Sequence, residues 1–330
     1  PTADIPIDWI QIRVSNILTM SSASSSTSSA DSTSMSIQSS AIDQELNHLE
    51  SPTALQHISY YASSLDIERV DGEVIHQTVR LLADTIACAL AAAVTNKEIE
   101  QVQQFAVKRQ PPSSAPVAPI WGTSLTCAPS YAGMVNSSMI RCLDANDLYI
   151  PRPPQSVLSG GHCSDAMGGV LALVDQEVNT GQQILAATII AYEVQVALAS
   201  CFPWLERGLH SVSQINFAVP AACAAFPQYN LTPRQVCHAM ALSGTTGLCG
   251  QRWLKQGFKA KKVNDSATKP AAPSTSTSAS AAKSHDSVPS IKFMSVGLAA
   301  QRSIDAIELA QIGITANPDA VETMVNFFAA

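Results

Sequence analysis

Apolar residues return at helical spacing over most of the chain. From Thr53 to Ser64, Leu55, Ile58, Tyr61 and Ala62 fall on one side of a short amphipathic helix. From Asp71 to Val94, Val74, Ile75, Val79, Leu82, Ile86 and Leu90 predict a long helix. Its second half, LLADTIACALAAA, is so apolar that it is expected deep in a core, with Asp84 buried there and held by a donor as a packing residue. A polar helix follows over Lys97 to Gln110, then a loop over 111–119 and a short extended piece at Ala118 to Trp121. Further helices are predicted over Ser130 to Arg141, Ala166 to Val178, Gln182 to Ser200 and Leu298 to Gln311. On the second long helix, Ile184, Leu185, Thr188, Ile189, Tyr192 and Val196 make the inner face. Thr232, Pro233 and Gln235 form a strong helix start, a cap with proline at the first helical position and a returning glutamine. Period-two alternation is absent over any useful length. The fold class expected is therefore all-α, helix pairs joined by short turns around one core.

Composition divides the chain. The Ser/Thr run from Met20 to Ser40 and residues 266–290, rich in Ser, Thr, Ala, Pro and Lys, have too little apolar side chain to offset the entropy of ordering, and residues 1–19 have apolar residues but no clear helix signal. Residues 1–50 are expected to be a disordered or irregular tail and 266–290 a disordered insert. The helical domain is expected over 51–265 and again over 291–330. A single Arg13 is too little for a mitochondrial presequence, and no signal-peptide pattern follows it. The net charge of −7 argues against a nucleic-acid or membrane-surface binder, and no uninterrupted apolar run has the length of a membrane span. The short basic run Lys255 to Lys262 reads as a solvated face. Eight cysteines without a Cys-x-x-Cys pair point to a reducing, intracellular compartment, cytoplasmic or mitochondrial, and not to a zinc finger or cysteine-ligated cluster.

Candidate chemistry concentrates between Leu143 and Leu173, where Asp144, Asp147, His162 and Asp165 lie around a Pro/Gly-rich loop ahead of an apolar helix. Ionisable groups on a loop braced by a rigid element are a common way to build a site. Asp144 and Asp165 also suit helix caps, and His162 a hydrogen-bonded loop histidine. If the preceding helix persists for a turn, Asp144 and Asp147 share one side of it. Nothing in the sequence lowers the pKa of Cys163, so a nucleophilic role has no support. His210 is either a pocket residue or a loop residue, and Lys292 taken alone is a surface lysine at a helix start.

Leu143-Asp144-Ala145-Asn146-Asp147 followed by Gly161-His162-Cys163-Ser164-Asp165 resembles the paired LDxND and GHPSD signature of the MmgE/PrpD family, which includes 2-methylcitrate dehydratase and cis-aconitate decarboxylase. Cys163 stands where the family usually has proline, and the loop between the halves is longer than usual. A second stretch is similar to another family signature: Lys292, Gly297, the helix Leu298 to Gln311, Gly313-Ile314-Thr315 and Pro318-Asp319, with Phe293 where a basic residue is frequent. The resemblance runs from Ser51 to Glu322. It implies the helical domain of such a protein, its mixed α+β lid domain being absent, and a homodimer formed through that domain. It implies a lyase acting without metal or other cofactor on a citrate-like polycarboxylate. Asp144, Asp147 and His162 would then transfer protons, with Lys292 and His210 binding substrate and Asp165 orienting His162. Dehydration of 2-methylcitrate is the reaction expected and decarboxylation of cis-aconitate the alternative. A truncated, inactive paralogue or an interaction scaffold is the non-enzymatic alternative.

Overall fold

A computed structural model describes residues 51–109, 115–151, 160–250 and 290–329. The expected tail at 1–50, the basic run and, but for Ser290, the insert at 266–290 lie outside the described residues. Among those described, the protein is all-α. Ten α-helices run in chain order: α1 Ala54–Ser64, α2 Gly72–Thr95, α3 Lys97–Val107, α4 Pro129–Cys142, α5 Met167–Ala172, α6 Gly181–Cys201, α7 Ile215–Ala222, α8 Pro233–Thr246, α9 Ile291–Gln311 and α10 Ala320–Ala329. The extended piece at Ala118 is real but short. β1, Ala118–Pro119, pairs antiparallel with β2, Thr126–Cys127.

Local chemistry sets the helix starts. Thr53, Thr180 and Thr232 each cap a helix and complete a capping box with Gln56, Gln183 and Gln235. The helix expected over Ala166 to Val178 is only α5, six residues long. Beyond Leu173, Asn179 Oδ1 accepts from Asp175 N at 2.8 Å and Asp175 Oδ1 accepts from Glu177 N at 2.9 Å. These side-chain bonds compete with the helical ladder and close a turn.

Helix α4 is the centre of the molecule. It packs against α2, α5 and α9, and every residue from Ser130 to Arg141 except Tyr131 is buried. Glycines bring its backbone into contact with its neighbours. A Cβ on Gly133 would stand 3.2 Å from Gly169 Cα, one on Gly168 would collide with Ser137 N, and one on Gly297 would collide with Met134 O. Several of the polar groups this buries are satisfied, though Ser137 Oγ and Arg141 Nε have no hydrogen-bond partner. Asn136 accepts from Trp121 N at 3.1 Å and donates to Pro119 O at 3.0 Å, and Ser138 donates to Met134 O at 2.8 Å. The rest of the core is aliphatic and alanine-rich, with Trp204, Phe217 and Phe226 its largest members.

Two expectations about α2 are corrected. Its apolar half is not deep in the core: Val79 is 51% exposed, Ile86 38% and Leu90 40%. Asp84 is exposed as well and is not a buried packing residue. Periodicity along a helix does not show which elements pack on it, and among the described residues α2 is covered on one side only, chiefly by α4. Stretches of α2 and α6 are long and apolar enough to cross a membrane, with mean hydropathy 1.5 and 1.7. The α6 stretch is mostly packed into the core, whereas the α2 stretch keeps its outer face.

Candidate functional site

The site begins where α4 ends. The helix stops at Cys142, and Asp144 adopts a left-handed backbone with φ of 55°. The helix does not persist for the further turn that would have carried both aspartates on one side. Asp144 and Asp147 are aimed separately. Tyr149 N donates to Gly161 O at 2.9 Å and Gly161 N to Tyr149 O at 3.1 Å. This bridge brings the two motif halves together.

Asp147 Oδ1 accepts from the backbone N of Ser164 at 3.1 Å and from the Ser164 hydroxyl. Asn146 Nδ2 donates to Ser164 Oγ at 2.8 Å and to Asp165 Oδ1 at 2.9 Å. One motif half thus holds the other through side chains inside the signature. Beneath them is Tyr192 of α6, its hydroxyl buried and its pKa pushed far up by burial and then by the charge of Asp147. Gln195, one turn on, donates to Cys163 O at 2.8 Å.

Asp144 meets the cations. Arg141 Nη1 bonds its Oδ1 and Lys292 Nζ its Oδ2, while His162 Nε2 stands 3.8 Å from Oδ1. Burial alone would raise the Asp144 pKa, but the bonds from Lys292 and Arg141 outweigh it and hold the carboxyl below its usual range. Lys292 sits in the first turn of α9, which begins seven residues ahead of the expected Leu298. Asp165 is a different carboxylate. It is 3% exposed, its Oδ2 is 3.6 Å from Arg141 Nε, and no helix cap uses it. Burial pushes its pKa up to about 6 against the pull of Arg141 and His162. No hydrogen bond joins it to His162, whose Nδ1 is buried without a partner.

This raised pKa carries a prediction. The folded protein holds the Asp165 proton more tightly than the unfolded chain does, so stability from this group falls as pH rises from 3.8 through about 6 and is flat above. A displacement of that size is worth on the order of 3 kcal/mol. Urea unfolding between about pH 4 and 7 should show the native chain losing most of that amount relative to Asp165→Asn; parallel pH profiles would refute it.

The structure brings Asp144, His162 and Lys292 into contact and places Asp147 and Asp165 on the same two motif halves. His210 is used differently. Its Nδ1 accepts from Val212 N at 3.2 Å, capping a 3-10 turn, and its own N donates to Cys249 O at 2.7 Å. It approaches the site through Ser211, which packs on Gly161. Cys163 is buried, and burial followed by the charges of Asp147 and Asp165 keeps its thiol protonated. Among the described residues, no group of three or more His, Cys, Asp or Glu side chains converges to hold a metal ion. Sequence reasoning passed over Arg141, Asn146, Ser164 and Tyr192. Three of these had a signal: Asn146 and Ser164 are inside the motif, and Arg141 is the one cation on a small-residue helix leading into it.

Between the end of α2, the start of α3 and the first turn of α9 lies a cleft of about 410 Å³, whose walls include Arg141 and Lys292. A search of curated proteins finds no match to the chain. The family model of the MmgE/PrpD N-terminal domain matches residues 56–284. That match takes in both halves of the signature and most of the helical body, and the chain belongs to the MmgE/PrpD family.

Proposed function

We propose that this chain is a lyase acting on a citrate-like polycarboxylate, with dehydration of 2-methylcitrate the reaction favoured. The observation that carries the reading is the joint placement of Arg141 and Lys292 with Asp144 and His162 beside an open cleft. Cations hold substrate carboxylates and stabilise the charge that develops when a proton next to a carboxylate is removed. Dehydration breaks that C–H bond and the neighbouring C–O bond, forms the C=C bond and releases water, so it needs one group to accept a proton and one to give a proton to the leaving hydroxyl. Asp147 and His162 are the groups suited to this exchange. Asp144 has both carboxylate oxygens committed to cations and is suited to placing Lys292 and facing His162. Asp165 fixes Arg141 and Asn146.

The test is turnover by the purified chain with 2-methylcitrate and with cis-aconitate, following unsaturated product and carbon dioxide. Unsaturated product from 2-methylcitrate supports the reading. Carbon dioxide from cis-aconitate moves the reaction to decarboxylation at the same site. Turnover of neither by a chain that is folded by circular dichroism would leave a scaffold or an inactive paralogue.

A further inference from the structure

We infer that the cleft at the α2–α3 junction is a carboxylate subsite in which Lys97 joins Arg141 and Lys292, and that Asp144 is the internal carboxylate with which an incoming one competes. The inference rests on the polycarboxylate reading above and adds to it a specificity residue and a gate.

Three cations line this cleft, Lys97, Arg141 and Lys292, against a single acid, Glu98. Glu98 is already engaged, since its Oε1 accepts from Ser290 Oγ at 2.7 Å. A volume of about 410 Å³ lies in the range of small-molecule sites. Arg141 is 5% exposed, with Nη1 bonded to Asp144 and Nε facing Asp165 Oδ2 at 3.6 Å, so it gives the cleft wall positive charge rather than a vacant donor. Lys292 keeps a third of its side chain in solvent and is reachable from outside.

Asp144 does not line the cleft, but it draws on two of the cleft's three cations. It does so from a left-handed backbone, which aspartate and asparagine adopt more readily than other residues bearing a Cβ. The contact is thus a half-exposed internal ion pair. A substrate carboxylate entering the cleft would meet the same guanidinium and ammonium together with Lys97, which makes no ion pair among the described residues. Binding would loosen Asp144 from Lys292 and leave it facing His162. Ligands with two or more carboxylates gain from Lys97, whereas a monocarboxylate does not span the cations.

The test is calorimetric titration with tricarballylate, an unreactive tricarboxylate, and with acetate. The chains compared are the native one, Lys97→Gln, Asp144→Asn and, as a control, Lys108→Gln, an exposed lysine at the end of α3. Asparagine tolerates the left-handed backbone, so Asp144→Asn should fold, and circular dichroism checks it. Tricarballylate affinity is expected to fall about ten-fold in Lys97→Gln, to rise several-fold in Asp144→Asn, and to stay unchanged in Lys108→Gln. Tricarballylate binding that neither Lys97→Gln nor Asp144→Asn alters would overturn the subsite while leaving the polycarboxylate reading intact. No binding of either carboxylate to the folded native chain would overturn both.

Discussion

Arg141→Met is expected to destabilise the protein by about 3–5 kcal/mol, the cost of removing one partner of a buried ion pair. The guanidinium is almost wholly buried between two carboxylates, bonded to Asp144 and 3.6 Å from Asp165. Methionine fills much the same volume, so the loss is electrostatic and not a cavity. Asp165 would be left 3% exposed with only Asn146 for support. It would take up a proton to escape, so the penalty should shrink towards pH 5. The double variant Arg141→Met with Asp165→Asn should recover part of the loss, and the remainder after subtracting the single effects measures the coupling. Urea midpoints at constant slope decide the matter. A loss under about 1 kcal/mol at neutral pH would mean that Arg141 is not holding these carboxylates, and the site's electrostatics would have to be redrawn.

Asp147→Asn is expected to lower kcat/KM about 10²- to 10⁴-fold, the range for loss of a positioned proton-transfer group. The change is nearly isosteric. An amide oxygen can still accept from Ser164 N, so the unfolding midpoint should move little while chemistry is lost. Ser164→Ala keeps the carboxylate but loosens it, and should cost far less, about ten-fold, with KM nearly unchanged. Equal loss in both variants, or none in Asp147→Asn, would remove Asp147 from the proton-transfer role. The cations stay in place in both, so substrate binding should survive and separate binding from turnover.

The all-α class could be read from helical periodicity, and the threonine caps could be read residue by residue because a cap is a local contract between a hydroxyl and an amide three residues on. The kinship could be read because the signature residues are near neighbours in sequence. What failed depended on distant neighbours. The face of α2 is as apolar as a core helix, and only the arrangement of other elements decides whether it is covered; Ile86 and Leu90 show that much of it is not. Where α4 stops could be read to within a residue, Arg141 against Cys142; the left-handed turn after it could not, because that position is an aspartate and not a glycine. Arg141 looked like an ordinary last-turn cation, since its two carboxylate partners come from the motif halves on either side of a loop and its cleft partner from beyond residue 290.

The glycine contacts along α4 have a bearing on how this protein can vary. Gly297 lies against Met134 O, and Lys292, five residues earlier on the same rigid rod, meets Asp144 just past the end of α4. A methyl group at Gly297 would therefore push the ammonium off its mark as surely as a substitution at the lysine itself. If Lys292 holds substrate as proposed, packing and recognition share one ruler here, and sequence drift in the spine of the molecule is constrained by the ligand as well as by the fold.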